Sequence, residues 1–175
     1  MFKFLKKNTA KKNETEEIKS ESNVLTVLTP VEGNVIPLAQ VDDGVFSEGM
    51  LGKGAAILPS DGIVTMPVNG TVEAVFPTKH AYGIQSDDGV EVLVHIGIDT
   101  VEMNGEGFST NVTQGEHLNV GDVLGSFSKE AIEGAGYNSA VIVVISNTDD
   151  FKDVTSVENQ EVSSGDALIH VVKGA

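Results

Sequence analysis

The stretch Val90-Glu91-Val92-Leu93-Val94-His95-Ile96-Gly97-Ile98-Asp99-Thr100-Val101 alternates with a period of two. Up to position 98 its even positions are Val, Val, Val, Ile and Ile, while its odd positions are Glu91, Leu93, His95, Gly97 and Asp99. Side chains of a strand point alternately to its two faces. The even set therefore marks a core face, and His95 projects from the other one with a carboxylate, Asp99, nearby. Immediately upstream, Asp87-Asp88-Gly89 is a turn signal after a second β-type run, so residues 76–98 read as a hairpin. The register of that hairpin decides where the second notable histidine, His80 in Phe76-Pro77-Thr78-Lys79-His80, is placed. A two-residue loop at Asp88-Gly89 sets Tyr82 opposite His95 and makes His80 its diagonal neighbour, about 7–8 Å away. A four-residue loop sets the histidines directly opposite each other, and a three-residue loop sends them to opposite faces. Two of the three registers build a histidine pair, with Thr78 and Phe76 on the face of His80.

Further outward, short β-type runs are broken every 8–20 residues by turn residues such as Glu32-Gly33-Asn34, Ser60-Asp61-Gly62, Asn69-Gly70, Val120-Gly121-Asp122 and Ser163-Ser164-Gly165. This spacing implies an all-β fold, a compact antiparallel sandwich or barrel-sandwich hybrid. One or two short helices are expected, one of them capped by Ser128 and running through Lys129–Glu133 to Gly134. An internal echo points to two similar halves: Pro30-Val31-Glu32-Gly33-Asn34-Val35 against Pro67-Val68-Asn69-Gly70-Thr71-Val72, and Gly121-Asp122-Val123-Leu124 against Gly165-Asp166-Ala167-Leu168.

The 175 residues suffice for one domain, which buries on the order of two-thirds of its unfolded surface. Residues 1–23 read as a flexible basic and polar tail and residues 24–175 as the domain. The tail holds six of the 11 basic residues, and the domain has five lysines against 22 acids. A domain this acidic repels phosphate backbones, so nucleic-acid binding is excluded and basic protein partners are favoured. There is no cysteine, hence no disulfide and no thiolate metal site. No apolar run is long enough to span a bilayer, and a cytoplasmic protein is expected. Met1, Phe2, Phe4 and Leu5 oppose Lys3, Lys6 and Lys7 on a helical wheel, the pattern of a weak membrane-surface anchor.

Outside packing, histidine serves as metal ligand, general acid or base, or nucleophile. Phosphoryl transfer asks mainly for alignment and charge stabilisation. One imidazole for in-line attack (His95) and one hydrogen-bond donor for the phosphoryl oxygens (His80, its tautomer set by Thr78) supply both. The alternative is a zinc-dependent hydrolase using His80, His95 and Asp99, although no H-E-x-x-H or H-x-H spacing is present. His117 and His170 read as ordinary packing or surface residues.

The string VLVHIGIDTVEMNGEGF, preceded by VFPTKHAYGI and VFSEGMLGKGAAILPSDG, closely resembles the glucose-type IIA component of the bacterial phosphoenolpyruvate-dependent sugar phosphotransferase system. The resemblance runs from about residue 25 to the C-terminus, and it implies a phosphocarrier with no cofactor. Such a carrier receives a phosphoryl group on a histidine from the carrier protein HPr and passes it to a cysteine on the IIB domain of a sugar permease. Position by position, His95 resembles the phosphorylated histidine, His80 its partner, and Thr78 the threonine that orients the partner. Phe46, Met50, Phe76 and Leu93 match the family's exposed apolar docking surface, and Asp43 and Asp99 its acidic rim. The chain departs from the family where Asp42-Asp43-Gly44 replaces the usual Pro-Asp-Pro or Pro-Asp-Val before the Val-Phe pair. A related reading is a regulatory module whose partners change with histidine phosphorylation.

Overall fold

The computed structural model describes residues 23–174. In chain order the strands are β1 (Val24–Leu28), β2 (Gly33–Pro37), β3 (Lys53–Pro59), β4 (Ile63–Thr65), β5 (Gly70–Val75), β6 (Ala81–Ser86), β7 (Glu91–Ile96), β8 (Phe108–Ser109), β9 (His117–Leu118), β10 (Val123–Phe127), β11 (Val141–Ile145), β12 (Asp153–Ser156), β13 (Gln160–Val162) and β14 (Ala167–Val172). One α-helix, α1 (Lys129–Gly134), follows β10. Its cap is the expected one, with the Ser128 hydroxyl accepting from Ala131 N–H, and Ile132 is the buried anchor. Single 3₁₀ turns at Leu38–Gln40, Thr100–Met103 and Thr148–Asp150 are too short to show a period in the sequence. The 1–23 tail and its amphipathic N-terminus lie outside the described residues apart from Asn23. No helix among the described residues is long and apolar enough to cross a membrane.

All strand pairs are antiparallel. An eight-stranded sheet has the order β13-β2-β3-β11-β7-β6-β5-β9, and two three-stranded sheets have the orders β1-β14-β12 and β4-β10-β8. The large sheet is symmetric about its central β11–β7 pair, with β3 matching β6, β2 matching β5, and β13 matching β9. The repeated strings account for this. Val31 and Val68 are buried, as are Val35 and Val72, while Glu32 and Asn69 face solvent. Gly33 and Gly70 open β2 and β5 at crossings so close that an added Cβ lies 2.1 Å from the Leu58 carbonyl oxygen and 2.2 Å from that of Gln85. The halves are laced reciprocally. Leu28 N–H donates to Pro67 O (2.9 Å) and Thr65 N–H to Pro30 O (2.8 Å). Within each half an equivalent bond recurs: Thr29 N–H donates to Asp166 O (2.8 Å) and Met66 N–H to Asp122 O (2.7 Å), joining the residue before each proline-valine string to a Gly-Asp turn. The sequence echo is thus a structural pseudo-duplication.

The even face of β7 lies in the main core, where Val92, Val94 and Ile96 pack with Val35, Ile57, Val72 and Val143. Each such fully buried side chain contributes about 1.5–3 kcal/mol relative to exposure. The odd face is not open to water. The segment between β2 and β3 folds over it and builds a second, smaller core from Leu38, Val41, Phe46, Ala56, Ala140, Ile142 and Val144, with Leu93 and Ile98 at its margin.

Candidate functional site

The β6–β7 hairpin uses the three-residue loop Asp87–Gly89. Ser86 N–H donates to Val90 O (2.8 Å), Gly89 has φ 89°, and Ala81 pairs with His95. In a continuous strand this register would separate the histidines. They meet nevertheless, because His80 precedes β6 and escapes its alternation. Lys79 takes the left-handed conformation (φ 60°) and its N–H donates to Phe76 O (2.7 Å), so the chain turns sharply before His80. The His80 carbonyl still accepts from Ile96 N–H (2.7 Å), which ties the turn to the end of β7. The two rings lie 4.8 Å apart between centroids, with their planes at 85°.

Both imidazoles are held by their Nδ1 atoms. His95 Nδ1 lies 2.7 Å from the Gly97 carbonyl oxygen, which can only accept, so Nδ1 carries the proton and Nε2 keeps a lone pair. Gly97, at φ 76°, bends the chain so that its carbonyl reaches back to the ring two residues earlier. His80 Nδ1 is 2.5 Å from the Thr78 hydroxyl. Phe76 packs edge-on against His80 at 5.5 Å, and Phe46 lies tilted against His95 at 5.1 Å.

Burial, followed by the neighbouring His95, pushes the His80 pKa down to about 4. Burial also lowers that of His95, against the Gly97 carbonyl, Asp43 and Asp99, which favour its cation. Both rings are therefore neutral near pH 7. His80 takes a proton near pH 6.5 when unfolded but only near pH 4 when folded, so acid favours the unfolded chain. The stability held by neutral His80 is complete above pH 6.5 and is lost progressively toward pH 4. Calorimetry from pH 7 to 5, above most carboxylate titration, should show Tm falling more steeply in the wild type than in His80→Gln. Equal slopes would rule this out.

The remaining expected site residues divide. Phe76 is exposed beside His80, and Leu93 is half-buried on the His95 face of β7. Phe46 departs from the expectation of an exposed docking residue. It is buried in the second core, because the 38–52 segment closes over β7, and what it presents to the site is its contact with His95. Met50 is 69% exposed, but it sits with Lys53, Ser146, Thr148 and Asp149, near the Ile145 end of β11 rather than beside Ile142, the partner of His95. Asp43 is committed to its own loop. Its carboxylate accepts from Phe46 N–H (2.8 Å) and Ser47 N–H (3.0 Å). Burial raises its pKa, but the amides of Ser47, Phe46 and Val45 outweigh that and hold the carboxyl below its usual range. Asp43 thus positions Phe46 while its charge still acts on His95. Asp99 is exposed at φ 60°, at the head of the Thr100–Met103 turn. Sequence reading missed the exposed Val45, next to Phe46 in the chain, and Val101, which follows the buried Thr100. It also missed the Gly97 carbonyl, whose one visible signal was a glycine interrupting an aliphatic strand. Asp99 does not join the histidines as a third ligand; among the described residues no three His, Cys, Asp or Glu gather as a metal site.

The model of the phosphoenolpyruvate-dependent sugar phosphotransferase system EIIA 1 family matches residues 25–151. The chain belongs to this family. It is 42% identical over 149 residues to the PTS system glucose-specific EIIA component of Oceanobacillus iheyensis, covering 85% of this chain and 90% of that protein. It is 44% identical over 141 residues to the PTS system beta-glucoside-specific EIIBCA component of Bacillus subtilis, covering 81% of this chain but only 23% of that one. The solved structure of glucose permease IIA from Mycoplasma capricolum matches with a TM-score of 0.74 and 40% identity, over 84% of this chain and 95% of that one. The expected antiparallel β-sandwich is therefore the observed fold. As an EIIA domain the chain is a phosphocarrier, passing phosphoryl groups onward to a IIB domain.

Proposed function

We propose that His95 is the residue of this EIIA domain that carries the phosphoryl group, taken from HPr and given to a cysteine of a permease IIB domain. The observation that carries the reading is the bond from His95 Nδ1 to the Gly97 carbonyl, which reserves Nε2 as the nucleophile. As the phosphorus leaves the donor nitrogen, the Nε2 lone pair forms the new P–N bond and Nδ1 keeps its proton. Delivery reverses this: the cysteine sulfur forms the S–P bond and His95 departs as neutral imidazole. With the Thr78 hydroxyl as the donor to His80 Nδ1, His80 Nε2–H is left to donate to a phosphoryl oxygen. Residues 24–175 act as the carrier domain behind a tail of residues 1–23. A IIB partner is supported by the EIIBCA relative, whose name joins B and A parts in one protein. Incubation with phosphoenolpyruvate, the system's first enzyme and HPr, read by intact mass and 31P NMR, should add one phosphoryl group. No gain in mass would refute the carrier role for this chain.

Docking of a basic donor follows from the surface beside the histidines, where Phe76 is exposed against His80 and Asp99 supplies negative charge felt at His95. Asp99→Asn is the informative variant, since asparagine tolerates the left-handed backbone and removes only the charge. It should slow association with HPr about two- to fivefold and flatten its salt dependence, with little change in transfer once bound. An unchanged salt slope would remove Asp99 from the docking surface.

A further inference from the structure

Thr100 closes the His95-Ile96-Gly97-Ile98-Asp99-Thr100 motif and has no part in the chemistry derived above. It is fully buried, although it lies between the exposed Asp99 and Val101. Both ends of its side chain are used. Its hydroxyl donates to the Ile96 carbonyl (2.5 Å). Its methyl forms one wall of the slot that holds Gly97: a Cβ built on Gly97 would lie 2.4 Å from Thr100 Cγ2 and 2.9 Å from the Asn138 carbonyl oxygen. The opposite side of the slot is tied to the lead-in of β11. Gly97 N–H donates to Ala140 O (2.8 Å) and Ile98 N–H to Asn138 O (2.9 Å).

This arrangement constrains one peptide in particular. The Ile96–Gly97–Ile98 backbone leaves the strand at a left-handed glycine, a conformation with little intrinsic preference of its own. The Gly97 carbonyl must nevertheless stay aimed at His95 Nδ1. Thr100 grips the carbonyl before Gly97 and walls the Gly97 Cα, so it limits rotation on both sides of that residue. We propose that Thr100 is a positioning residue for phosphoryl transfer, acting through the Gly97 carbonyl to hold His95 in the tautomer with Nε2 unprotonated.

The proposal rests on His95 being the phosphoryl acceptor, and the experiment separates the two. Thr100→Val keeps the side-chain shape and loses the hydroxyl. Thr100→Ala loses the hydroxyl without added bulk, and Thr100→Ser keeps it. Each is measured as the full chain, at a temperature where circular dichroism shows it folded, beside His95→Ala as the acceptor control. In the wild type, 15N NMR of the imidazoles should show one neutral tautomer for His95, with the proton on Nδ1. In Thr100→Val and Thr100→Ala a second tautomer should appear, and acceptance of phosphoryl from HPr should fall about tenfold, the cost of one misdirected hydrogen bond. Thr100→Ser should restore both readouts. A variant that lacks the hydroxyl, is folded, and keeps the wild-type tautomer and rate would overturn the proposal, as would a serine variant as slow as the alanine one. Phosphoryl uptake persisting in His95→Ala would instead overturn the acceptor assignment beneath it.

Discussion

With His95 replaced by alanine, the protein should gain no mass when incubated with phosphoenolpyruvate, the system's first enzyme and HPr. Every feature of the site converges on this ring. Phe46 packs on it, His80 lies edge-on to it, and the Gly97 carbonyl accepts a hydrogen bond from its Nδ1–H. The next nucleophilic nitrogen, on His80, is buried and bonded at Nδ1 to Thr78, so it is not presented for in-line attack. Loss should therefore be complete rather than partial. In the wild type the label should be a phosphoramidate, labile in acid and stable in alkali, because protonation of the ring nitrogen makes imidazole a good leaving group. A label that survives acid, or that remains in the alanine variant, would place the phosphoryl group elsewhere.

His80→Gln should accept the group at a rate within a few-fold of wild type, yet deliver it to the IIB domain about 10²–10³ times more slowly, the usual loss on removing one preorganised donor. During delivery the charge of the transferring phosphoryl group is spread over its three equatorial oxygens, and His80 is the imidazole beside His95. A phosphoryl dianion so close favours the protonated form of His80, in place of the neutral ring that burial enforces in the unphosphorylated protein. Glutamine fills similar space but cannot make that change of protonation. Rapid-quench kinetics of the two half-reactions will separate the steps. Equal loss in both would mean that His80 helps to build the site rather than to discharge it.

Legibility from sequence followed the physics of each element. The core face of β7, the Ser128 cap and the paired Pro-Val-x-Gly-x-Val strings depend on local periodicity and turn chemistry, and all three could be read directly. The hairpin register illustrates the limit. The loop took the length that appeared to part the histidines, and they were rejoined by a left-handed lysine, a conformation no sequence rule assigns to Lys79. The misjudged exposure of Phe46 has a different origin. An alternating strand shows that its two faces differ but not whether a distant segment will cover the second, and the 38–52 segment does so. The Gly97 carbonyl escaped notice because backbone acceptors carry no sequence label.

The symmetric sheet also governs the order in which the site becomes functional during folding. Hairpin β6–β7 closes over three residues, whereas β3 pairs with β11 and β2 with β13, so the other half waits for chain far downstream. The pairings through β11, where Val143 meets Val94 on one side and Ala55 on the other, join residues far apart in sequence and bear the larger loop-closure entropy. His80 and His95 come together within one early hairpin unit, whereas Phe46 reaches His95 only after the other half has docked across β11. A two-stranded hairpin is marginal in water on its own, so before β11 exists the two imidazoles lack a firm frame as well as the aromatic cover and the Asn138–Ala140 support for Gly97. Competence to carry phosphate is therefore a late acquisition, arriving when the two halves close and serving as a natural reporter of completed folding.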